Sequence, residues 1–493
     1  MNKSFAFKII VIIGVVLNAV SAGRAAPGGS GNWVDPTFLA GTDEEPCLHL
    51  GKSVDRSGLR STVDIEQAKL EAAGLRAGGT AALRLPPSLG FVAALLAAWR
   101  IGAQVSLLDH RLTAAEIDRA LDRLAPQVLV EPASPVNTAM RGYAELETAV
   151  RPLRTGRAAE TDHVLIQLSS GSTGPAKVIA RTAEDLAFEL RRYSVLSGFP
   201  RRGERVVLLS SVVHVLGLVG GLLHGLHAGV QLALPERLSA AGILDAVAQH
   251  EAPGEARATT LIGVPFYAEL LAAVPAPPAL PGLARMIVAG ELTRPGVSEA
   301  FTARYGVPLG SMYGMTELGV IATDLDGALR PALEPTAGLE LRERDGELHI
   351  RMPQSPYLGA GDPARWSDGW LHTRDAARLT ERTGQVTILG RRDSQVSIGG
   401  LKVDLTEVEQ VLCAAPGVSG AVVVFDDAAI LAYAAVDEGV GIGTVQEHLS
   451  RELAAYKLPR RIEVLAELPR TATGKLLRDT AALRAAATAR PAV

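Results

Sequence analysis

The sequence predicts an α/β protein with a large N-terminal domain, built from layered α/β subdomains and a β-rich subdomain, and a small α+β C-terminal domain. Strand-length apolar runs alternate with helical patterns over residues 32–160 and again from residue 206 to the helix after Pro295, which favours parallel sheets covered by helices. Short strands separated by turns follow residue 336, and a compact βα unit follows residue 390. The 493 residues, 47% of them hydrophobic, exceed one ordinary domain and can bury a large core.

Each region contains elements of its own type. The first has predicted strands at 80–85, 104–108 and 127–130, an amphipathic helix at 88–99, and a helix at 113–124 that begins at the N-cap Thr113. The second has strands at 206–210, 230–233 and 283–288, a helix at 217–228 and a helix after Pro295. The β-rich region has strands at 347–351, 369–372 and 384–389. The C-terminal unit ends near residue 483, and an Ala-rich tail covers 484–493.

Composition excludes several classes of protein. The net charge is −4 and aromatic residues make up 4% of the chain, so there is no basic surface with interleaved rings and we expect no binding to nucleic acid. Cys47 and Cys413 lie far apart in the sequence, so they predict neither a disulfide framework nor a zinc cluster. A reducing compartment is the simplest interpretation.

A loop of small and hydroxylated residues follows a predicted strand at 164–168. It contains, in order, Ser170, Gly171, Ser172, Thr173, Gly174 and Lys177. Glycines let a backbone approach a polyphosphate, and successive N–H groups form a site for an anion. The spacing of a Walker loop is absent, and such a run by itself is more often a solvated turn.

Four later segments have a possible chemical role. The segment 311–317, entered from a strand at 308–310, contains Tyr313, which can stack on a purine, and Glu317, whose carboxylate suits Mg²⁺ bound to phosphate oxygens. Asp375 ends a predicted strand, where its carboxylate can bind both ribose hydroxyls. The segment 390–402 is rich in glycine, and Lys475 lies in a loop of Thr and Gly near the C-terminus. Each segment alone would be an ordinary turn or surface charge.

Together, in this order and spacing, the five segments resemble the adenylate-forming superfamily, which comprises acyl- and aryl-CoA ligases, adenylation domains of peptide synthetases, and luciferases. The resemblance extends over roughly residues 40–480. It implies an N-terminal domain at 32–390 and a mobile C-terminal lid domain at 391–483. It also implies the activity: a carboxylic acid condenses with ATP to an acyl-adenylate, pyrophosphate is released, and the acyl group passes to a second molecule.

The resemblance implies the site residues as well. Lys475 would bridge the carboxylate and the α-phosphate, Thr316 would touch the α-phosphate, and Glu317 would hold Mg²⁺. The residues expected to bind ATP are Ser170, Gly171, Ser172, Thr173, Gly174, Lys177, Ala289, Gly290, Glu291, Tyr313, Asp375 and Arg391. The acyl pocket would contain His214, Val215 and Gly217, the hinge would be Asp393, and Gly399, Gly400 and Lys402 would line the acceptor channel.

The chain departs from the usual family pattern in four places, none of which removes a charged catalytic group. Val178 follows the loop lysine where glycine is common, and Pro175 lies one position early. Arg374 stands where a glycine normally precedes the ribose aspartate, and Leu405 replaces a usual proline. These departures indicate a divergent branch, in which the acceptor is less firmly predicted than adenylation.

The identity of the substrates remains open at the level of the sequence. His214 and Val215 provide no carboxylate to pair with an α-ammonium, so we expect a neutral aromatic or medium aliphatic acid rather than an α-amino acid. The acceptor is expected to be a separate molecule: CoA first, a carrier-protein thiol second, and an amine third. An amine acceptor would make the protein an amide synthetase of the type found in antibiotic pathways of secondary metabolism.

Two other classes are compatible with the resemblance. No residue favours a luciferase-like oxygenase. A catalytically silent relative is disfavoured because the charged and hydroxyl groups of the motifs are retained, namely Thr173, Glu317, Asp375, Arg391 and Lys475.

The first 26 residues differ from the rest of the chain. Lys3 and Lys8 precede an apolar run and then small residues, which is the layout of a secretory signal peptide and is short for a membrane span. An enzyme that uses ATP is nevertheless expected in the cytoplasm. The leader therefore has four possible interpretations: a true export signal, a misassigned start, a fused leader or a membrane tether.

Overall fold

The computed structural model describes most of the chain. The described residues are 32–112, 114–137, 142–168, 178–248, 257–294, 296–359, 364–392, 395–398, 401–426, 429–437, 439–453, 457–471 and 474–488. Several predicted features lie outside them, namely the leader 1–26, the N-cap Thr113, the loop residues Ser170, Gly171, Ser172, Thr173, Gly174 and Lys177, the hinge Asp393, and the channel residues Gly399 and Gly400.

The strands belong to four sheets. In chain order they are Pro46–Leu50 (β1), Lys52–Asp55 (β2), Thr80–Leu83 (β3), Gln104–Leu107 (β4), Val128–Pro132 (β5), Thr148–Pro152 (β6), Leu165–Leu168 (β7), Val178–Arg181 (β8), Arg205–Leu208 (β9), Gln231–Ala233 (β10), Thr259–Gly263 (β11), Leu283–Ala289 (β12), Leu309–Met315 (β13), Gly319–Asp324 (β14), Ala332–Pro335 (β15), Leu341–Arg344 (β16), Glu347–Arg351 (β17), Trp366–Ser367 (β18), Trp370–Leu379 (β19), Val386–Arg391 (β20), Gln395–Ile398 (β21), Leu401–Asp404 (β22), Val418–Asp426 (β23), Ala429–Val436 (β24) and Arg461–Leu465 (β25).

The helices cover the sheets. The α-helices are Arg56–Ala72, Leu89–Ile101, Ala114–Leu124, Ala183–Val195, His224–Ala228, Ala240–Ala248, Pro265–Ala272, Val297–Tyr305, Leu405–Cys413, Ile442–Glu452 and Thr480–Thr488. Two segments, Asp35–Leu39 and Leu216–Leu223, are π-helical.

The sheet order confirms the predicted α/β fold. One sheet runs β6-β5-β3-β4-β7-β8, with β5, β3, β4 and β7 parallel. A second runs β16-β17-β19-β20-β15-β14-β13-β12-β11-β9-β10-β1-β2, with β18 beside β19. In this sheet the neighbouring strands β1, β10, β9, β11, β12 and β13 are parallel. From β13 to β16 the neighbouring strands are antiparallel, and this part of the sheet includes the predicted β-rich region. The C-terminal part contains β21-β22 and β23-β24-β25.

Three sequence predictions about elements were wrong in detail. The helix Leu89–Ile101 is buried on all sides rather than amphipathic, because it packs against the helix Arg56–Ala72 and against β3 and β4. Asp375 lies within β19 rather than at its end, because pairing with β20 continues to Leu379. The helix Thr480–Thr488 extends into the predicted tail.

None of the helices in the described ranges is long and apolar enough to cross a bilayer. Cys47 and Cys413 are both free thiols, and burial raises the pKa of Cys47 to about 11.

Candidate active site

Three parallel strands end at one edge of the larger sheet. Their last residues, Leu208 in β9, Gly263 in β11 and Ala289 in β12, lie at neighbouring positions, because β11 pairs with both other strands. The segments that follow carry the predicted pocket residue His214 and the predicted adenine residues Gly290 and Glu291. Ligands of open α/β sheets bind at the carboxyl ends of the strands, so this edge is the candidate cleft.

The smaller sheet supplies a second wall. Leu168 and Val178, which flank the predicted phosphate loop, are cross-strand partners in β7 and β8. The buried Gln167 Nε2 donates to Val213 O at 2.8 Å. The ends of the loop segment therefore lie beside the predicted acyl-pocket segment.

The predicted acyl-pocket residues follow β9 directly. Val215 is half-buried, and Gly217 lies within the buried π-helical segment Leu216–Leu223. A Cβ at Gly217 would collide with the carbonyl oxygen of Ser211, so only glycine allows this close backbone approach.

The predicted ribose residues meet on neighbouring strands. Asp375 in β19 is the cross-strand partner of Arg391 in β20. Tyr313 Oη donates to Asp375 Oδ2 at 2.5 Å, and the backbone N–H of Asp375 donates to Thr373 Oγ1 at 3.0 Å. The hydrogen bond from Tyr313 therefore orients the carboxylate of the buried Asp375.

Arg374 explains one departure from the family pattern. Its φ of +61° lies in the left-handed region, which favours glycine. The backbone N–H of Arg374 donates to Glu347 Oε1 at 3.0 Å, and Arg374 Nη2 donates to Ala364 O at 2.8 Å. An arginine therefore occupies a position that favours glycine, and its side chain makes one hydrogen bond there, since the backbone N–H bond would also be available to glycine.

Thr316 and Glu317 lie in the turn between β13 and β14, and both are half-buried. Tyr357 Oη donates to Glu317 Oε1 at 2.8 Å. Tyr357 also pairs with Ile179 in β8, the strand that leaves the predicted phosphate loop. The Glu317 carboxylate is therefore oriented by a residue that lies next to the end of that loop.

A hairpin near the C-terminus carries Lys475 to the cleft. Thr471 N donates to Lys475 O at 2.7 Å, and Lys475 N donates to Thr471 Oγ1 at 3.1 Å. The Lys475 side chain lies against Gly290: a Cβ at Gly290 would be 3.5 Å from Lys475 Nζ. Gly290 also has a φ of +92°, a backbone conformation that favours glycine, whereas the distance to Lys475 is an ordinary van der Waals contact.

Contacts between the C-terminal part and the larger sheet hold this hairpin in place. The Arg470 guanidinium lies 4.7 Å from the centre of the Phe266 ring, and the backbone N–H of Leu476 donates to the Glu291 carboxylate. Arg294 Nη1 donates to Ser419 O at 2.7 Å and pairs with Glu269 at 3.1 Å.

The electrostatics of the cleft follow from these contacts. Desolvation by the surrounding protein and, to a smaller extent, the charge of Lys475 lower the pKa of His214 to about 4, although the His214 side chain is reached by solvent along the cleft. Desolvation raises the pKa of Glu291, and the charge of Lys475 opposes that shift. His214 is therefore uncharged at neutral pH, and the ammonium group of Lys475 lies close enough for its charge to act on His214.

Sequence reasoning missed three residues of this region. Tyr357 was not singled out, and neither were Asp109 and Arg111, whose charges reach His214. Arg111 Nε and Nη2 donate to the Asp109 carboxylate at 2.9 and 2.8 Å. The signal for this pair was present: the charged triplet 109–111 follows directly on a predicted strand.

The remaining predicted residues lie elsewhere. Lys402 lies in β22 of the C-terminal part. His224, which follows the acyl-pocket segment, is buried in the core, and its Nε2 lies 2.9 Å from Pro200 O. Among the described residues, no group of three or more His, Cys, Asp or Glu side chains could hold a metal ion.

The fold and the cleft are those expected of an enzyme that binds a nucleotide, and the C-terminal part places Lys475 at the cleft. The family model of AMP-binding enzymes matches residues 67–353, and that of the AMP-binding enzyme C-terminal domain matches 407–475. The chain belongs to the AMP-binding enzyme family.

Similar proteins match this chain over most of its length. A 3-hydroxybenzoate–CoA ligase of Aromatoleum sp. is 26% identical over 498 residues, covering 90% of this chain and 94% of that protein. O-succinylbenzoate coenzyme A synthetase from Bacillus subtilis, in complex with AMP, has the same fold, with a TM-score of 0.74 at 23% identity over 91% of this chain and 97% of the other. An amide bond synthetase from Marinactinospora thermotolerans also has this fold, with a TM-score of 0.70 at 23% identity over 92% and 98% of the two chains.

Proposed function

We propose that the chain is an ATP-dependent carboxylic acid ligase that forms an acyl-adenylate, releases pyrophosphate, and transfers the acyl group to the thiol of CoA or of a carrier protein. The observation that carries this proposal is the position of Lys475. Its side chain lies against Gly290, at the edge where the parallel strands end, and its charge reaches His214.

The first half-reaction requires such a cation. A carboxylate oxygen attacks the α-phosphorus, a new O–P bond forms, and the bond from the α-phosphorus to the oxygen bridging to the β-phosphate breaks as pyrophosphate leaves. Both reactants are anions, so a positioned ammonium group at their junction stabilises the charge of the transition state. We assign this role to Lys475.

The rest of the cleft would hold the nucleotide. Asp375 and Arg391 face each other across two strands and would bind the ribose. Tyr313 would stack on the adenine beside Ala289, Gly290 and Glu291 while its hydroxyl orients Asp375. Thr316 would contact the α-phosphate. The segment 170–177, which contains Ser170, Gly171, Ser172, Thr173, Gly174 and Lys177, would bind the β- and γ-phosphates.

The donor set of the turn fits Mg²⁺. One carboxylate together with phosphate oxygens and water is the coordination that this ion prefers. Glu317 supplies such a carboxylate, and the hydrogen bond from Tyr357 to Oε1 fixes its direction. Mg²⁺ bound there would neutralise part of the charge of the departing pyrophosphate.

The second half-reaction transfers the acyl group. The acceptor thiol gives up its proton, its sulfur attacks the carbonyl carbon, and the bond from that carbon to the AMP oxygen breaks. Asp393 would be the hinge about which the C-terminal domain turns between the two half-reactions. Gly399, Gly400 and Lys402 would then line the path of the thiol.

A neutral aromatic or medium aliphatic acid is the proposed substrate. Neutral His214 and Val215 provide no anion for an α-ammonium, and the Asp109 charge is already paired with Arg111. The similar proteins named for aryl acids, 3-hydroxybenzoate and O-succinylbenzoate, support the aromatic choice. Because the reaction consumes ATP, we propose the cytoplasm as its location.

An amide synthetase of secondary metabolism is the second candidate. The same fold in an amide bond synthetase favours it. That enzyme would use the same adenylate, with an amine nitrogen attacking the carbonyl carbon in place of a thiol.

ATP–pyrophosphate exchange across a panel of acids tests the proposal. We expect exchange that depends on the acid and on Mg²⁺, and release of AMP on addition of CoA, a carrier protein or an amine, whichever is the acceptor. Absence of exchange with every aryl and aliphatic acid tried, from a folded full-length chain, would exclude the proposed function.

A further inference from the structure

A buried ion pair lies behind the turn that carries Thr316 and Glu317. Arg181 Nη1 and Glu189 Oε2 are 2.6 Å apart, with side chains exposed by 3% and 0%. Arg181 ends β8, the strand that leaves the predicted phosphate loop, and Glu189 lies on the helix Ala183–Val195. Burying two charges has a large desolvation cost, so the pair is not explained by stability alone.

The same pair holds the turn on its C-terminal side. Val320 N donates to Glu189 Oε1 at 3.2 Å. The Glu189 carboxylate occupies the place that a Cβ at Gly319 would take, and Gly319 has a φ of +84°. A glycine at this position therefore lets the carboxylate approach the backbone of the turn.

Arg192, on the same helix as Glu189, also holds the turn. Arg192, which is 3% exposed, donates through Nη2 to Leu318 O at 2.6 Å. The turn is thus bound by side chains at Leu318 and at Val320, immediately after Glu317. A single rigid unit connects the strand that leaves the predicted phosphate loop with the turn of the predicted metal carboxylate.

We propose that Glu189, together with Arg181, is a positioning residue that presents the Glu317 carboxylate to the metal ion of bound MgATP. This inference rests on the proposed function. If the pair fixes the turn, its loss should weaken the binding of the metal–nucleotide complex and leave the binding of metal-free nucleotide and of the acid unchanged.

The experiment compares the Kd of MgATP with that of ATP in EDTA by calorimetry, in wild type and in Glu189→Gln. We expect the Kd of MgATP to rise about tenfold, which corresponds to about 1.4 kcal/mol, with the Kd of ATP in EDTA and the KM of the acid unchanged. Because Glu189→Gln leaves a buried arginine uncompensated, the double variant Arg181→Gln/Glu189→Gln is measured beside it and should show the same selective loss.

Glu66→Gln is the matched control. Glu66 is also a buried glutamate, which accepts from Thr148 Oγ1 at 2.6 Å and pairs with Lys69 at 2.8 Å, but it lies on the helix Arg56–Ala72. We expect it to lower the melting temperature without changing the ratio of the two Kd values. An unchanged ratio in both the single and the double Glu189 variants would overturn the proposal, and so would an equal change in Glu66→Gln. Wild type that binds MgATP but shows no acid-dependent exchange would instead contradict the proposed function.

Discussion

The turn at 316–318 and the hairpin around Lys475 both bring predicted site residues to the cleft, but they are held in different ways. The turn is bound from behind by Glu189 and Arg192, both buried. The hairpin is held by Arg470 on Phe266 and by the Leu476 N–H on Glu291, groups that lie along the cleft. Breaking a buried pair costs about 3–5 kcal/mol, whereas an exposed one is worth about 0–1 kcal/mol.

This difference indicates a division of roles. Under the proposed function, a group that must hold the nucleotide through both half-reactions would be fixed to the core. A group needed in only one half-reaction would be attached through contacts that can be broken at low cost, as proposed for the C-terminal domain. The predictions below test the two halves of this comparison.

Lys475→Ala is expected to have the largest effect. Removing a positioned charge at the reacting centre should reduce ATP–pyrophosphate exchange at least about 10²–10³-fold, while acyl transfer from a supplied acyl-adenylate continues at nearly the wild-type rate. The two half-reactions are measured separately, with Lys52→Ala as the control, because Lys52 is exposed and pairs only with Glu145 among the described contacts. Equal loss of both half-reactions would contradict the movable role of Lys475.

Tyr313→Phe tests the part of the cleft that is fixed to the core. Loss of the 2.5 Å hydrogen bond to Asp375 should raise the KM for ATP about tenfold, the effect of a hydrogen bond to a charged group worth about 1.5 kcal/mol, with the KM of the acid unchanged. Tyr305→Phe is the control, since Tyr305 Oη donates to Leu271 O at 2.9 Å away from the cleft. An unchanged KM for ATP would show that Asp375 does not depend on Tyr313.

Arg294→Ala tests the contacts that attach the C-terminal part, with its Lys475 hairpin, to the larger sheet. Removing its hydrogen bond to Ser419 O should reduce exchange about two- to fivefold, in line with an interaction worth about 0.5–1 kcal/mol, and leave acyl transfer unchanged. Arg451→Ala, which removes an exposed pair with Glu452 and a contact with His448 Nδ1, both within the C-terminal part, should have no effect. A loss of exchange as large as that in Lys475→Ala would show that the hairpin is not loosely docked.

Arg374→Gly should stabilise the N-terminal part of the protein. Relief of a left-handed backbone at a non-glycine residue is expected to raise the free energy of unfolding by about 1 kcal/mol, without changing the KM for ATP. Denaturant unfolding measures this change. Arg378→Gly, in the same strand at an ordinary φ, should destabilise the protein, and a loss of stability in Arg374→Gly would contradict the interpretation.

His214 should report the position of Lys475. Its pKa of about 4 is lower than that of an ordinary histidine, so it stays neutral as pH falls from 8 to 5.5, and exchange should show no change from its protonation in that range. In Lys475→Ala the pKa of His214 should move upward, because one of the charges that lowers it is gone. NMR titration of the ring protons measures this shift, and an unchanged pKa would show that the two groups are not neighbours.

The α/β fold could be predicted from the sequence because the alternation of strands and helices is a local signal. The roles of the candidate site residues stay predictions, although the structure does place Lys475 beside Gly290. Tertiary contacts could not be predicted. Glu189 and Val320 are 131 positions apart, and no local pattern connects them. The sequence pattern predicts an amphipathic helix at 88–99, whereas the burial of Leu89–Ile101 on all sides depends on partners from both the sheet and another helix.

The central claim, that a carboxylate attacks the α-phosphorus, is tested most directly with an acid labelled with ¹⁸O in its carboxylate. The account predicts that one labelled oxygen appears in the AMP released after complete turnover with the acceptor, because that oxygen stays on phosphorus when the acyl group leaves. Labelled oxygen in inorganic phosphate, or AMP free of label, would contradict it.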